Sequence, residues 1–363
     1  MIEHKEHFHG SDLEKIEKTF HISKDDIISF SANVNPLGVS NKLRKELANQ
    51  IDVITSYPDR EYTDLRKAIA SYCDCDYKNV IVGNGCTELI SLFIQITAPK
   101  KALLLGPTYS EYERELALNG GTLDYYMLKE EEDFKLDVND FLKHIDSSTN
   151  LVIICNPNNP TSSCLNQSEM RSILSHCKKT NTYVMVDETY VEFSPEIENI
   201  TSVPLVEEFD NLILLRGTSK FFAAPGLRLG YGITNNQMLI TEINTNKNPW
   251  MINSLAVVAG ITMFSDKEYI KASRELSKNE RIRLTEIFEK SNRFKVYPSN
   301  GNFILLKILD ENISSSDLFE KCIKKGLMIR DCSSFPTLGD RFIRMCFMNP
   351  EDNDRLVAAL LND

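Results

Sequence analysis

The chain of 363 residues is 26% charged and 42% hydrophobic and carries a net charge of −11. It is long enough to bury one large core with a smaller unit attached. The acidic balance, with no basic run to offset it, argues against nucleic acid as a partner, while leaving room for a small anion held by a few local arginines.

Nine cysteines, an odd number spread along the chain, fit reduced thiols in a cytoplasm better than a disulfide framework. Cys73 and Cys75 have no second pair, and His4, His7 and His9 sit near a chain end, so no metal site is expected. The N-terminal stretch has no apolar signal core, and no apolar run is long enough to span a membrane. The expectation is a soluble cytoplasmic protein without a membrane partner.

Residues 1–40 read as an N-terminal arm and small-domain segment. Its extended piece, Phe30 to Gly38, contains Pro36, which disfavours helix at the residue before it. Ser40 begins an amphipathic helix (Leu43, Leu47, Ile51), and a second, Tyr62 to Tyr72, carries Leu65 and Ile69 on one face. From Val80 strands and helices alternate. Strands are predicted at Val80–Val82, Ala102–Leu105, Leu123–Leu128, Leu151–Cys155, Val184–Val186 and Leu212–Leu215, with helices at Leu89–Thr97 and after Tyr109. Such alternation implies a mostly parallel sheet covered by helices on both faces. Residues 41–252 thus form a large α/β domain. Residues 253–363 read as a smaller α+β domain, with an apolar helix Leu255–Phe264, a long charged helix from about Asp266 to Ser291, strands Phe303–Ile308 and Phe342–Phe347, and helices Ser316–Lys325 and Asp352–Leu361.

In open parallel sheets, ligands sit beyond the carboxyl ends of the strands, and the chemically distinctive residues cluster there. Gly83-Asn84-Gly85-Cys86-Thr87 lies between strand and helix, where backbone N–H groups and the helix dipole suit a phosphate, although a plain glycine turn has the same look. Asn156-Pro157-Asn158-Asn159-Pro160-Thr161 follows one strand and Asp187-Glu188-Thr189-Tyr190 another. A carboxylate at a buried strand end needs a partner, and a protonated ring nitrogen would serve. Lys220 stands between the apolar Leu212–Leu215 run and the glycine-punctuated Pro225–Gly230 loop. Desolvation there favours the neutral amine, the form that attacks a carbonyl.

Taken together, these motifs resemble the pyridoxal-phosphate enzymes of the aspartate aminotransferase superfamily (fold type I), over nearly the whole chain. The resemblance implies that Lys220 holds the cofactor covalently, that Asp187 pairs with its pyridinium nitrogen, that Asn159 and Tyr190 hold the ring hydroxyl, and that Tyr109 stacks on the ring. Cys86, Thr87, Ser219 and Arg228 would bind the cofactor phosphate. Tyr57 would reach the phosphate of the neighbouring subunit, which implies a homodimer. Two positions depart from the family pattern. Gly217 stands where relatives carry a hydroxyl residue, so one phosphate contact is absent or comes from Thr218, and Ser162 replaces a glycine after Asn-Pro-Thr.

Within the superfamily the chain looks like the branch of histidinol-phosphate aminotransferase and threonine-phosphate decarboxylase, the latter serving cobalamin synthesis. Arg344 matches the carboxylate-binding arginine and Arg330 a position that contacts the substrate phosphate. Asn35 in the Phe30–Gly38 segment and His9 in the arm complete the expected substrate side. These stretches lean towards a decarboxylase acting on a phosphorylated amino acid, with transamination of histidinol phosphate as the alternative. The remote third reading, a non-catalytic sensor, fits poorly. Sensors of this kind add a DNA-binding module, and a degenerate scaffold would lose Lys220 or Asp187.

Overall fold

A computed structural model of the chain describes residues Phe8, Gly10 and 12–362. Its centre is a seven-stranded sheet in the spatial order Val80–Gly83, Gly230–Ile233, Leu212–Gly217, Tyr183–Asp187, Leu151–Cys155, Lys101–Gly106, Thr122–Met127. The last five run parallel, and Gly230–Ile233 lies antiparallel to both of its neighbours.

The strands read as continuous apolar runs because both sheet faces are covered. Alternate residues divide cleanly between two cores, as the two-residue period of a strand requires. Val152, Ile154, Val184, Val186, Leu212 and Leu214 face helices Thr63–Cys73, Gln167–Lys179 and Ser254–Phe264. Leu151, Ile153, Met185, Ile213 and Leu215 face helices Cys86–Thr97, Glu111–Leu118 and Gln237–Asn246. Side-chain caps mark the helix starts: Ser40 accepts from Leu43 N, and Asn166 and Ser314 form capping boxes with Glu169 and Asp317. Among the described residues no helix is long and apolar enough to cross a membrane.

A second, antiparallel sheet runs Arg330–Asp331, Phe342–Cys346, Phe303–Ile308, Phe294–Val296. Ile28–Ser29 pairs in parallel with Leu327–Met328, which brings the N-terminal segment to this side of the molecule. Beyond that pairing the segment passes between the sheets: Cys346 N donates to Phe30 O at 2.9 Å and Asn35 N to Lys220 O at 3.0 Å. The long helix Lys267–Lys290 adds a clamp, since Arg281 Nη2 donates to both Phe193 O and Gly301 O at 2.7 Å.

Several features escape the sequence pattern. The Gly230–Ile233 strand, which starts at the last residue of the Pro225–Gly230 loop, has no counterpart in the sequence reading, and a helix Leu13–Phe20 occupies the arm. Ser162 takes the left-handed conformation expected of the glycine it replaces (φ 59°). Its Oγ accepts from Asn300 N at 2.9 Å and Gly301 N at 2.8 Å, so two hydrogen bonds offset the backbone strain.

Candidate active site

The carboxyl ends of the parallel strands converge as anticipated. Asp187, the last residue of its strand, is buried, and its carboxylate accepts three hydrogen bonds. Tyr112 Oη donates to Oδ2 at 2.6 Å, while Thr189 N and Oγ1 donate to Oδ1 at 2.9 and 2.6 Å. The Tyr109 ring stands nearly perpendicular to that of Tyr112, with centroids 5.6 Å apart. Tyr112 has no role in the sequence reading; it lies in the first turn of helix Glu111–Leu118, just after the strand-end loop that carries Tyr109.

Tyr190 is buried, and burial raises its phenol above the ordinary range. Both Asn33 Nδ2 and Asn159 Nδ2 donate to its Oη, at 3.4 and 3.5 Å. Lys220 is half-buried, and its Nζ donates to Ala32 O at 2.6 Å. Burial, reinforced by the positive charge of Arg344, pushes the Lys220 amine down to about 8.

A second cluster forms around the start of helix Cys86–Thr97. Its N-cap, Gly85, has φ 89° and no side chain to cap the first turn. A Cβ on Gly85 would collide with the Arg228 guanidinium, and one on Gly230 would stand 2.5 Å from Cys86 N. The glycines therefore let an arginine and a strand close on the helix start. Arg228 is exposed and donates to Pro225 O at 3.2 Å. Thr87, in the first turn of this helix, and Ser219, next to Lys220, are half-buried. An uncapped helix N-terminus and a guanidinium meeting at one point put two positive ends together, an arrangement that an anion such as a phosphate relieves. The donor set fits a phosphorylated cofactor.

The third cluster belongs to the antiparallel sheet. Arg330 and Arg344 are direct cross-strand partners, so their side chains leave the same face, where like charges repel. Both are buried. Arg344 donates to Asn159 Oδ1 and, at 2.6 Å, to Ser31 O, and its guanidinium lies 5.2 Å from the Phe303 ring centroid. Its Nε is buried and has no partner among the described residues. Arg330 donates to Phe8 O at 2.6 Å and Ser334 Oγ at 3.0 Å, and lies 5.1 Å from the Phe335 ring centroid. Burial lowers Arg330 to about 10, and Arg344 adds to the shift.

Asn35 does not face this space. Its Nδ2 donates to Phe221 O at 2.8 Å and Ser273 Oγ at 2.7 Å, and its Oδ1 accepts from Leu37 N at 3.1 Å, so the amide is committed to the protein itself. Asn33, two places earlier, takes the position: its Nδ2 reaches Tyr190, and its buried Oδ1 has no partner among the described residues. His9 lies outside the described residues. Tyr57 is 81% exposed and leans on Trp250, with ring centroids 4.9 Å apart.

The sequence model of the aminotransferase class I and II family matches residues 25–360. This chain belongs to that family. Among class I and II aminotransferase relatives, a Caldanaerobacter subterraneus protein provisionally named threonine-phosphate decarboxylase is 38% identical over 91% of this chain and 88% of its own. A histidinol-phosphate aminotransferase of Methanococcus aeolicus is 30% identical over 99% of this chain and 95% of its own. The crystal structure of the histidinol-phosphate aminotransferase from Clostridium acetobutylicum superposes with a TM-score of 0.85 at 32% identity, covering 91% of this chain and 97% of that one.

Proposed function

We propose that the chain is a pyridoxal 5'-phosphate-dependent decarboxylase of a phosphorylated amino acid, with threonine phosphate as the type substrate. The observation that carries the choice of substrate is the Arg330–Arg344 pair: two buried guanidiniums on one sheet face that, among the described residues, donate to carbonyl, amide and hydroxyl oxygens. Buried charge needs an opposite charge, and a ligand with a carboxylate at one end and a phosphate at the other supplies two. Threonine phosphate has both. Histidinol phosphate has only the phosphate.

In this reading the cofactor, when bound, supplies an electron sink for the pair left at the amino acid Cα. Asp187 keeps the proton on the ring nitrogen, held in place by Tyr112 and Thr189. Asn159 and Tyr190 hold the ring hydroxyl and Tyr109 covers the ring face. Cys86, Thr87, Ser219 and Arg228 take its phosphate. Lys220 carries the cofactor, and its lowered proton affinity suits it to exchange a proton at Cα near neutral pH. Arg344 orients the substrate carboxylate and Arg330 its phosphate.

Tyr57 serves a second subunit in a homodimer. The exposed Ile51, Ile54 and Tyr57 along one segment supply apolar surface for that interface. Nine free cysteines accord with a cytoplasmic setting. Transamination of histidinol phosphate is the second reading, supported by the Methanococcus and Clostridium relatives.

Product analysis separates the two. Holoenzyme is incubated with threonine phosphate, with serine phosphate, and with histidinol phosphate plus 2-oxoglutarate. Carbon dioxide and an aminoalkyl phosphate are the expected products; glutamate without carbon dioxide would establish the aminotransferase.

A further inference from the structure

The resemblance implies a hydroxyl residue where this chain has Gly217, and the fold shows what occupies the space beside it. A Cβ on Gly217 would come within 2.8 Å of Cys86 Sγ, with Leu229 O next at 3.6 Å and Gly230 Cα at 4.0 Å. The thiol is the single close obstacle. Thr218, the other candidate for the absent contact, is buried, and its hydroxyl donates to Leu229 O at 3.1 Å. Cys86 opens the helix whose first turn presses on Gly230, and Gly230 is in turn the register partner of Gly217. Sγ therefore wedges between the helix start and the strand that leads to Lys220.

We propose that Cys86 and Gly217 are an interlocked pair setting the depth of the cofactor-phosphate cradle, the thiol filling the volume of the side chain that position 217 lacks. The inference rests on the pyridoxal-phosphate reading and adds to it a coupling between two residues far apart in the sequence. A hydroxymethyl group at 217 overpacks the wall while Cys86 is present. It pushes the first turn of the helix off the strand end, together with the N–H groups that meet the phosphate. With the thiol shortened to a methyl, the same hydroxymethyl fits and offers a new donor.

The test is a cycle of Gly217→Ser, Cys86→Ala and the double variant, titrating each apoprotein with pyridoxal phosphate and with pyridoxal, and recording each unfolding midpoint. Gly217→Ser alone is expected to weaken pyridoxal phosphate binding about ten- to hundredfold, the usual scale of overpacking. Added to Cys86→Ala, the same substitution is expected to tighten binding and to recover the midpoint lost in the single variant. Pyridoxal, which has no phosphate, should respond several-fold less. An equal loss from Gly217→Ser in both backgrounds, or equal losses for the two ligands, overturns the proposal. A wild-type apoprotein that takes up neither ligand overturns the functional reading as well, and shows itself before any substitution is made.

Discussion

Two sets of buried arginine charge in this molecule are treated in opposite ways. Arg216, on the central sheet, meets Glu188 through Nε at 3.1 Å and Nη2 at 2.7 Å, and also Thr201 Oγ1 at 2.7 Å. Glu188 is fully covered too, accepting from Ser202 N at 2.5 Å and Thr201 Oγ1 at 3.0 Å. That pair is closed, with charge matched inside the protein. Arg330 and Arg344 are just as buried, yet they face one another and end on carbonyl, amide and hydroxyl oxygens. Arg281 is also buried on carbonyl oxygens, as a lone clamp; Arg330 and Arg344 differ in standing as cross-strand neighbours of like charge, an arrangement that a doubly anionic ligand relieves. Lys220 belongs with them: a half-buried amine with a carbonyl partner and positive neighbours.

The comparison breaks if closed and open charges respond alike to removal. The largest expected effect is on Lys220→Ala, which should abolish turnover while leaving the unfolding midpoint of the apoprotein unchanged or raised; wild-type turnover in that variant would refute the assignment. Next comes Arg216→Ala, which leaves Glu188 buried without its counter-ion and should cost about 3–5 kcal/mol of stability. Denaturant titration reads it, and a loss under about 1 kcal/mol would mean that the Glu188 pair is not closed. Smallest is a pH effect on uptake. Because the neutral Lys220 amine is the reactive form, capture of pyridoxal phosphate by the apoprotein should rise with pH to a plateau above about 8 rather than near 10.5. Stability follows the same sign: with the folded pKa below the unfolded one, the Lys220 contribution improves as pH rises from about 8 to 10.5. A capture midpoint near 10.5 would show an amine in contact with water.

How much of this was legible beforehand follows from what each element depends on. Strands buried on both faces write themselves as apolar runs, so Leu151–Cys155, Val184–Val186 and Leu212–Leu215 were readable, and Asn159, Asp187 and Lys220, which follow them, with them. The Gly230–Ile233 strand was not, because Gly-Tyr-Gly-Ile is strand only by virtue of its long-range partners on either side. Asn33 and Asn35 have the same side chain two places apart. The left-handed turn at Asn33 (φ 55°) decides which one faces Tyr190, and sequence pattern has no access to that. Gly217 was visible as a departure, but its Cys86 neighbour was not, since the contact joins distant parts of the chain.

The central claim is that the two open arginines read opposite ends of one doubly anionic substrate. Its most direct test is the ratio of kcat/KM for threonine phosphate to that for threonine, in wild type and in Arg330→Ala. A charge-assisted contact of about 1.5–3 kcal/mol corresponds to roughly ten- to 150-fold. The wild-type ratio should be at least that large and should fall by that factor in Arg330→Ala, with the rate on threonine nearly unchanged. A ratio that survives the loss of Arg330, or activity on unphosphorylated amino acids alone, would contradict the account.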